Sequence, residues 1–169
     1  SLLWFQQHAV PTCRLVAMGQ GGRWSGQSWG VIVTEEIAQT IDLRRIYLDS
    51  PEKLRNRSWR LDILKALALV VTSMHRQGYI HNDLQWRNVL VTIEAAPKAF
   101  LIDCPSGRRI YLLGNRRGIV RDLAFLDKIA KIALSRADRL RFYKTYMGVD
   151  RLRERDKKEI RRILSFLKR

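Results

Sequence analysis

A chain of 169 residues, 46% of them hydrophobic, can bury one sizeable core, so it is a globular domain or a lobe and a half rather than a disordered segment. Its net charge of +16 is concentrated in residues 81–169, which hold 22 Lys/Arg against 10 Asp/Glu, and draws anionic partners without choosing among nucleotides, phosphorylated glycans, lipid headgroups and nucleic acid. Two distant cysteines, Cys13 and Cys104, exclude a disulfide framework or a zinc spacing and fit a reducing compartment, and the strongest apolar run, "ILKALALVV", is too short to span a membrane. With no charged-then-apolar leader, the chain is expected to be soluble, or at most peripheral to a membrane.

The opening residues "SLLWFQQHA" read as the last turns of a helix, broken by Pro11. "CRLVAMGQ" and "WGVIVTEEI" read as two strands around the Gly/Ser turn "GGRWSGQS", which predicts a hairpin. Residues 42–48 predict a short helix with Asp42 near its start, and Pro51 opens a loop. Residues 58–77 carry a long helical pattern that includes Leu61, Ile63, Leu64, Leu67, Leu69, Val70 and Met74 and ends at Gly78 as a C-cap. Apolar over most of its circumference, this helix is expected to be central. Two short strands, "NVLVTI" and "KAFLID", flank the turn "EAAPK". From about residue 119 the pattern predicts three helices: 120–134, 136–147 with Ser135 as N-cap, and 150–168. The last sets Leu152, Ile160, Ile163, Leu164 and Leu167 against nine Lys/Arg, and reads either as a packed terminal helix or as a basic face for an anionic membrane.

Between the long helix and the first of the later strands lies "HNDLQWRN". A loop delivered by a helix and followed by a strand is held at both ends, which fixes Asp83 in space. Asn88, at the start of one strand, is expected to face Asp103, at the end of its partner. Two oxygen ligands on adjacent strands suit a hard cation such as Mg²⁺, which keeps several waters and bridges nucleotide phosphates. Asp83 is left to accept the proton of an attacking hydroxyl. The competing reading makes Asp83 a plain turn or cap residue.

"HNDLQWRN" with "LIDCP" resembles the catalytic and metal-binding loops of the protein-kinase-like superfamily. In order, "HAVPTCRLVAMG", "GVIVTEEI", "IDLRRIY", "MHRQGYIHNDLQWRNVLV", "FLIDCPSGR" and "RDLAFLDKIAKIALSRADRLRFYKTYMG" resemble the bacterial lipopolysaccharide kinase family over most of residues 8–148. The resemblance implies an α+β, protein-kinase-like fold: mainly the helical C-terminal lobe, residues 38–169, with a remnant of the N-terminal β lobe, residues 1–37. It implies phosphoryl transfer from ATP, with Mg²⁺, to a heptose or Kdo hydroxyl of the lipopolysaccharide inner core, in the cytoplasm, with contact at the inner membrane's cytoplasmic face as a further expectation. Carried over residue by residue, it makes Asp83 the catalytic base and Asn88 and Asp103 the Mg²⁺ ligands. The backbone around Glu35 and Ile37 would meet adenine, and Asp122 would hold the catalytic loop from below. His81 would brace the loop backbone. Arg108, Arg109, Arg116 and Arg117, between Asp103 and the next helix, either meet acidic groups of the acceptor or form a solvated loop. Trp86 either stacks on a sugar or nucleotide or packs the loop onto the lobe. Cys104 reads as a small buried filler, and His8 and His75 as ordinary helix or loop residues.

The departures from the pattern point away from a protein substrate. Asn82 stands where many regulated protein kinases have Arg, Gln85 where Ser/Thr kinases carry Lys, no A-P-E stretch follows, and "DCPSG" lacks the Phe and the immediate Gly of D-F-G. No Gly-rich loop and no strand Lys with a helix Glu precede residue 1, so the chain is expected to be truncated, to lack the lobe that anchors the phosphates and to be inactive on its own. Two alternatives therefore stay open: a kinase of another small molecule, and a non-catalytic, pseudokinase-like binding module for anionic glycans or lipids. No recognised nucleic-acid motif accompanies the charge, so no specific nucleic-acid partner is expected.

Overall fold

Helix α4 (Arg57–Arg76) organises the core, and its sequence explains why. Trp59, Ile63, Leu67 and Val71 recur every fourth residue and are buried, with Leu64, Ala68, Met74 and His75 beside them. Each fully buried aliphatic side chain contributes roughly 1.5–3 kcal/mol. The helix is amphipathic rather than apolar all round, because Leu69 faces solvent with Asp62 and Lys65. Asn56 caps its start by accepting from the Trp59 N–H at 3.2 Å, and Gly78, at φ 76°, ends it in the left-handed conformation expected of a C-cap glycine.

The computed structural model describes residues 1–22, 28–109 and 116–168. Most of the expected turn at 21–28 lies outside the described residues. The first helix, α1 (Leu2–Gln7), buries Trp4 and Phe5 in the core shared with α4, where Trp4 stacks on Tyr79 at 4.2 Å. Strands β1 (Leu15–Gly22) and β2 (Ser28–Thr34) form the expected antiparallel hairpin, paired from Leu15↔Thr34 to Gly22↔Ser28. Val16, Met18, Trp29, Val31 and Ile32 of this hairpin are exposed.

After the hairpin, β3 (Thr40–Asp42) leads into α2 (Leu43–Asp49), where Asp42 accepts from the Arg45 N–H at 2.9 Å as N-cap. Pro51 does not open a loop: it starts a short helix, α3 (Pro51–Arg55), at the one position where a missing N–H costs nothing. Strand β4 (Tyr79–Ile80) precedes the loop that bears Asp83, a single 3-10 turn at Trp86–Asn88 follows, and β5 (Val89–Thr92) and β6 (Ala99–Leu101) pair antiparallel as expected. Two pairings have no local signature and were not foreseen. β3 adds to β5 through Ile41↔Val91, and β7 (Arg108–Arg109) pairs with β4 through Ile80↔Arg108.

The three C-terminal helices are present with shifted starts. Helix α5 (Arg116–Ala133) begins four residues earlier than residue 120, α6 (Arg136–Met147) is capped by Ser135 as read, and α7 (Glu154–Phe166) begins four residues later than residue 150. Gly118 lets α5 approach β4 closely, since a Cβ there would lie 2.5 Å from Ile80 Cδ1. No helix among the described residues is long and apolar enough to cross a membrane.

Candidate active site

The site is built from underneath. Asp122, on α5, is fully buried, and such a carboxylate needs donors on both oxygens. Oδ2 accepts from the His81 backbone N–H at 2.7 Å and the His75 Nε2 at 3.2 Å, while Oδ1 accepts from the Asn82 backbone N–H at 2.8 Å. Because a carboxylate only accepts, His75 donates from Nε2, and its Nδ1 lies 2.8 Å from the Tyr146 hydroxyl. Burial pushes the Tyr146 phenol well up, so it stays a neutral donor. His75, read from sequence as an ordinary residue, instead joins α4, α5 and α6 beneath the loop.

His81 is also fully buried, and its Nε2 faces the Ile102 carbonyl at 3.1 Å. Burial lowers its pKa against the opposing pull of Asp122, which keeps the ring neutral, with Nδ1 buried and without a partner among the described residues. Asn82 has φ 67°, a conformation that Asn tolerates better than most residues, and its Nδ2 donates to the Ser106 carbonyl at 2.6 Å.

Above this platform Asp83 is part-exposed and held by three side chains. Gln85 Nε2 donates to Oδ1 at 2.5 Å, and Arg87 and Asn88 Nδ2 both donate to Oδ2 at 3.0 Å. Burial alone would raise its pKa, but these bonds and the Arg87 charge hold the carboxyl below the usual range, so it is ionised near neutrality. Oδ2 has both lone-pair directions filled and Oδ1 only one, which leaves Oδ1 free to accept from an incoming hydroxyl. Arg87 carried no expectation from sequence, although its place four residues after an acid and inside the motif was a readable signal.

Asn88 has its Nδ2 committed to Asp83, to the backbone carbonyl at 2.8 Å as well as to Oδ2, and its Oδ1 has no partner among the described residues. The Ile102 N–H donates to the Asn88 carbonyl at 3.0 Å, so Asp103 stands one residue past the position opposite Asn88. Asp103 is exposed and has φ 51°, which for a non-glycine residue marks a stored local strain. It lines a cavity of about 650 Å³ with Leu15, Met18 and Ile32 of the hairpin, Leu90 and Ile102 of the lobe, and the segment Glu35–Ile37. In that segment the Glu35 N–H is spent on Arg14 and the Ile37 carbonyl accepts from Thr40, whereas the Glu35 carbonyl and Ile37 N–H have no partner among the described residues.

The remaining expected residues divide. Trp86 packs rather than stacks on a ligand: it is buried, donates to the Leu126 carbonyl at 2.9 Å and meets Tyr47 edge-on. Cys104 is buried filler, its thiol pushed up to about 12, chiefly by burial. Arg108 and Arg109 are exposed on β7 beside the loop, but Arg116 and Arg117 belong to the first turn of α5 and not to a connecting loop.

A model of the lipopolysaccharide kinase (Kdo/WaaP) family matches residues 2–146. The chain belongs to this family. The lipopolysaccharide core heptose(I) kinase WaaP of Pseudomonas aeruginosa is 28% identical over 148 residues, 81% of this chain and 53% of the relative. The chain thus spans about half the length of the curated relative it matches. A solved structure of WaaP in complex with acyl carrier protein superposes with a TM-score of 0.76 at 28% identity, over 99% of this chain and 73% of that one. The fold of this lipopolysaccharide kinase family member is accordingly the α+β, kinase-like fold read from sequence. The family match takes in every element from α1 to α6, including both loops that carry Asp83 and Asp103, and ends before α7.

Proposed function

We propose that this chain carries the catalytic side of an ATP- and Mg²⁺-dependent transfer of phosphate to a sugar hydroxyl, heptose or Kdo, of the lipopolysaccharide inner core. The observation that supports the reading is an Asp83 carboxyl held below its usual range and bonded to Asn88, whose carbonyl accepts from Ile102 in the wall of a nucleotide-sized cavity that Asp103 also lines. The division at the hinge, residues 1–37 and 38–169, is part of the same reading.

The residues fit a magnesium ion. Asn88 Oδ1 and the Asp103 carboxylate are hard oxygen donors, and the Asn88 amide is turned so that its oxygen is the free end. Among the described residues no group of three or more His, Cys, Asp or Glu could hold a metal unaided, which suits an ion completed by waters and nucleotide phosphates. When bound, Mg²⁺ would neutralise charge on the phosphates. The free Glu35 carbonyl and Ile37 N–H supply one acceptor and one donor for the edge of adenine, and Leu15, Leu90 and Ile102 supply apolar contact. Asp83 Oδ1 accepts the hydrogen bond of the sugar hydroxyl, aims its oxygen at the γ-phosphorus and takes its proton as the new O–P bond forms and the bond from the γ-phosphorus to the bridging oxygen breaks, with ADP leaving. A carboxyl held below its usual range is a weak base. In a loose transition state the proton leaves late, so positioning supplies most of its effect.

Arg108, Arg109, Arg116 and Arg117 would meet acidic groups of the acceptor, and the face of α7 with its exposed Lys158 and Arg161 would rest on an anionic membrane surface on the cytoplasmic side. A second reading, a protein partner, has its own support: the similar WaaP was solved with an acyl carrier protein, and a +16 charge favours acidic partners. The full-length protein, incubated with ATP, Mg²⁺ and a deacylated lipopolysaccharide core, is expected to yield a new phosphate monoester, located on heptose or Kdo by ³¹P NMR. Core sugars left unmodified would remove the acceptor assignment.

A further inference from the structure

We infer that Asn82 is a positioning residue that clamps the loop bearing Asp103 to the loop bearing Asp83, an inference resting on the metal and base assignments proposed above. Asn82 directly precedes Asp83 and is itself buried. Its backbone is tied downward, N–H to Asp122 Oδ1 at 2.8 Å, while its side chain is tied sideways, Nδ2 to the Ser106 carbonyl at 2.6 Å. The acceptor is a carbonyl, so the amide must present its nitrogen there, and the orientation is fixed by chemistry.

Ser106 is three residues beyond Asp103, in a segment that nothing else of its own sequence would order. The stretch from Asp103 to Gly107 holds no helix or strand, and Asp103 sits in the left-handed region, a conformation that persists only where surroundings impose it. Those surroundings are the catalytic loop and the N-terminal residue, whose Ser1 hydroxyl donates to the Cys104 carbonyl at 2.5 Å. His81 Nε2 meets Ile102 at 3.1 Å just before Asp103, the Cys104 thiol faces the His81 carbonyl at 3.5 Å just after, Asn82 holds Ser106, and β7 pairs with β4. Of the side-chain ties from the catalytic loop the Asn82 bond is the shortest, and it joins the two loops directly.

The left-handed backbone at 82 narrows the choice of residue further. Glycine would adopt φ 67° more freely but could not reach Ser106, and a long cation there would bring no donor fixed on a backbone carbonyl at this range. The same side chain that removes a phosphate-reading Arg from this position therefore supplies a permanent, uncharged clamp. The consequence is a metal-binding loop ordered by the fold itself, with no need of a phosphorylated residue.

The test uses the full-length protein as parent, Asn82→Gly, which keeps the left-handed backbone and the N–H to Asp122, and Asn82→Asp, which keeps the shape but loses the donor. Hydrogen exchange of residues 103–109 is expected to quicken by about tenfold in both, as for loss of one neutral hydrogen bond, with α4 unaffected. The Mg²⁺ concentration that half-saturates ATP binding is expected to rise severalfold, while metal-free nucleotide affinity is unchanged. A residue that only stabilised the fold would move both nucleotide readouts together. Unchanged exchange in Asn82→Gly and Asn82→Asp overturns the clamp, and faster exchange with an unaltered Mg²⁺ requirement overturns its link to Asp103. The exchange arm needs no catalysis, so a parent that binds no Mg·ATP counts against the proposed function and leaves the clamp to be decided by exchange alone.

Discussion

Replacing Asp122 by Ala should be among the most damaging single changes in the molecule. The carboxylate is fully buried and accepts from two backbone N–H groups and one imidazole, at 2.7, 2.8 and 3.2 Å. Alanine leaves all three donors buried without an acceptor, and each such group costs about 1–3 kcal/mol. Removing the buried charge returns part of that, so the expected net loss is about 3–5 kcal/mol, the range for breaking a buried charged network. That is a large share of the about 5–15 kcal/mol that holds a typical domain together. With an m-value of about 1–3 kcal/mol/M, the urea midpoint should fall by roughly 2 M. Asp122→Asn should lose nearly as much, because its amide nitrogen would face a donor on one side. Equilibrium urea unfolding followed by near-UV circular dichroism measures both. A loss below about 1 kcal/mol in Asp122→Ala would mean that the loop is held by something other than this carboxylate.

Three further outcomes are expected. Asp103→Ala should weaken Mg²⁺-dependent ATP binding more than Asp83→Asn does, since it removes a charged ligand rather than a base; calorimetric titration with Mg·ATP reads this, and equal effects would remove Asp103 from the metal site. Arg87→Gln takes away a bond and a charge that hold the Asp83 carboxyl below its usual range, so the acidic limb of the pH–rate profile, where the ionised form is lost as pH falls, should move to higher pH; an unmoved limb would mean that Arg87 does not act on Asp83. His81 has its pKa lowered in the fold by burial, so the unfolded chain binds the proton more readily and stability should decline as pH falls below about 6.5, the unfolded value. Denaturation midpoints at pH 7 and 5 in the parent and in His81→Gln check the sign, the variant being the less pH-dependent of the two.

How much of this was legible in the sequence depends on how local the cause is. The 3.6-residue pattern of α4, the Asp42 and Ser135 caps and the Gly78 terminator are encoded within a few residues of where they act, and all were read. The β5–β6 pair was read because a short turn joins two apolar runs. By contrast, β4 and β7 are two residues each and pair across a long stretch, so neither has a period to detect. His75 looked unremarkable because its partners lie 47 and 71 positions away, and only the fold brings Asp122 and Tyr146 to it. Asn82 was noticed as a departure, yet what it does depends on φ 67° and on a carbonyl 24 residues on. Trp86 had two readings of similar weight, and the tertiary core decided between them. The extra helix α3 was missed because Pro51 was read as a breaker rather than as a first helical residue.

The most direct test of the account is phosphate transfer from labelled ATP to a deacylated lipopolysaccharide core, comparing the full-length protein with its Asp83→Asn variant. The account expects label on a core sugar in the parent and a fall of about 100-fold or more in the variant, with Mg·ATP affinity largely kept, because loss of a positioned general base acts in the transition state. Transfer by the variant within about twofold of the parent would contradict it, since Asp83 would then not be the residue that meets the acceptor hydroxyl.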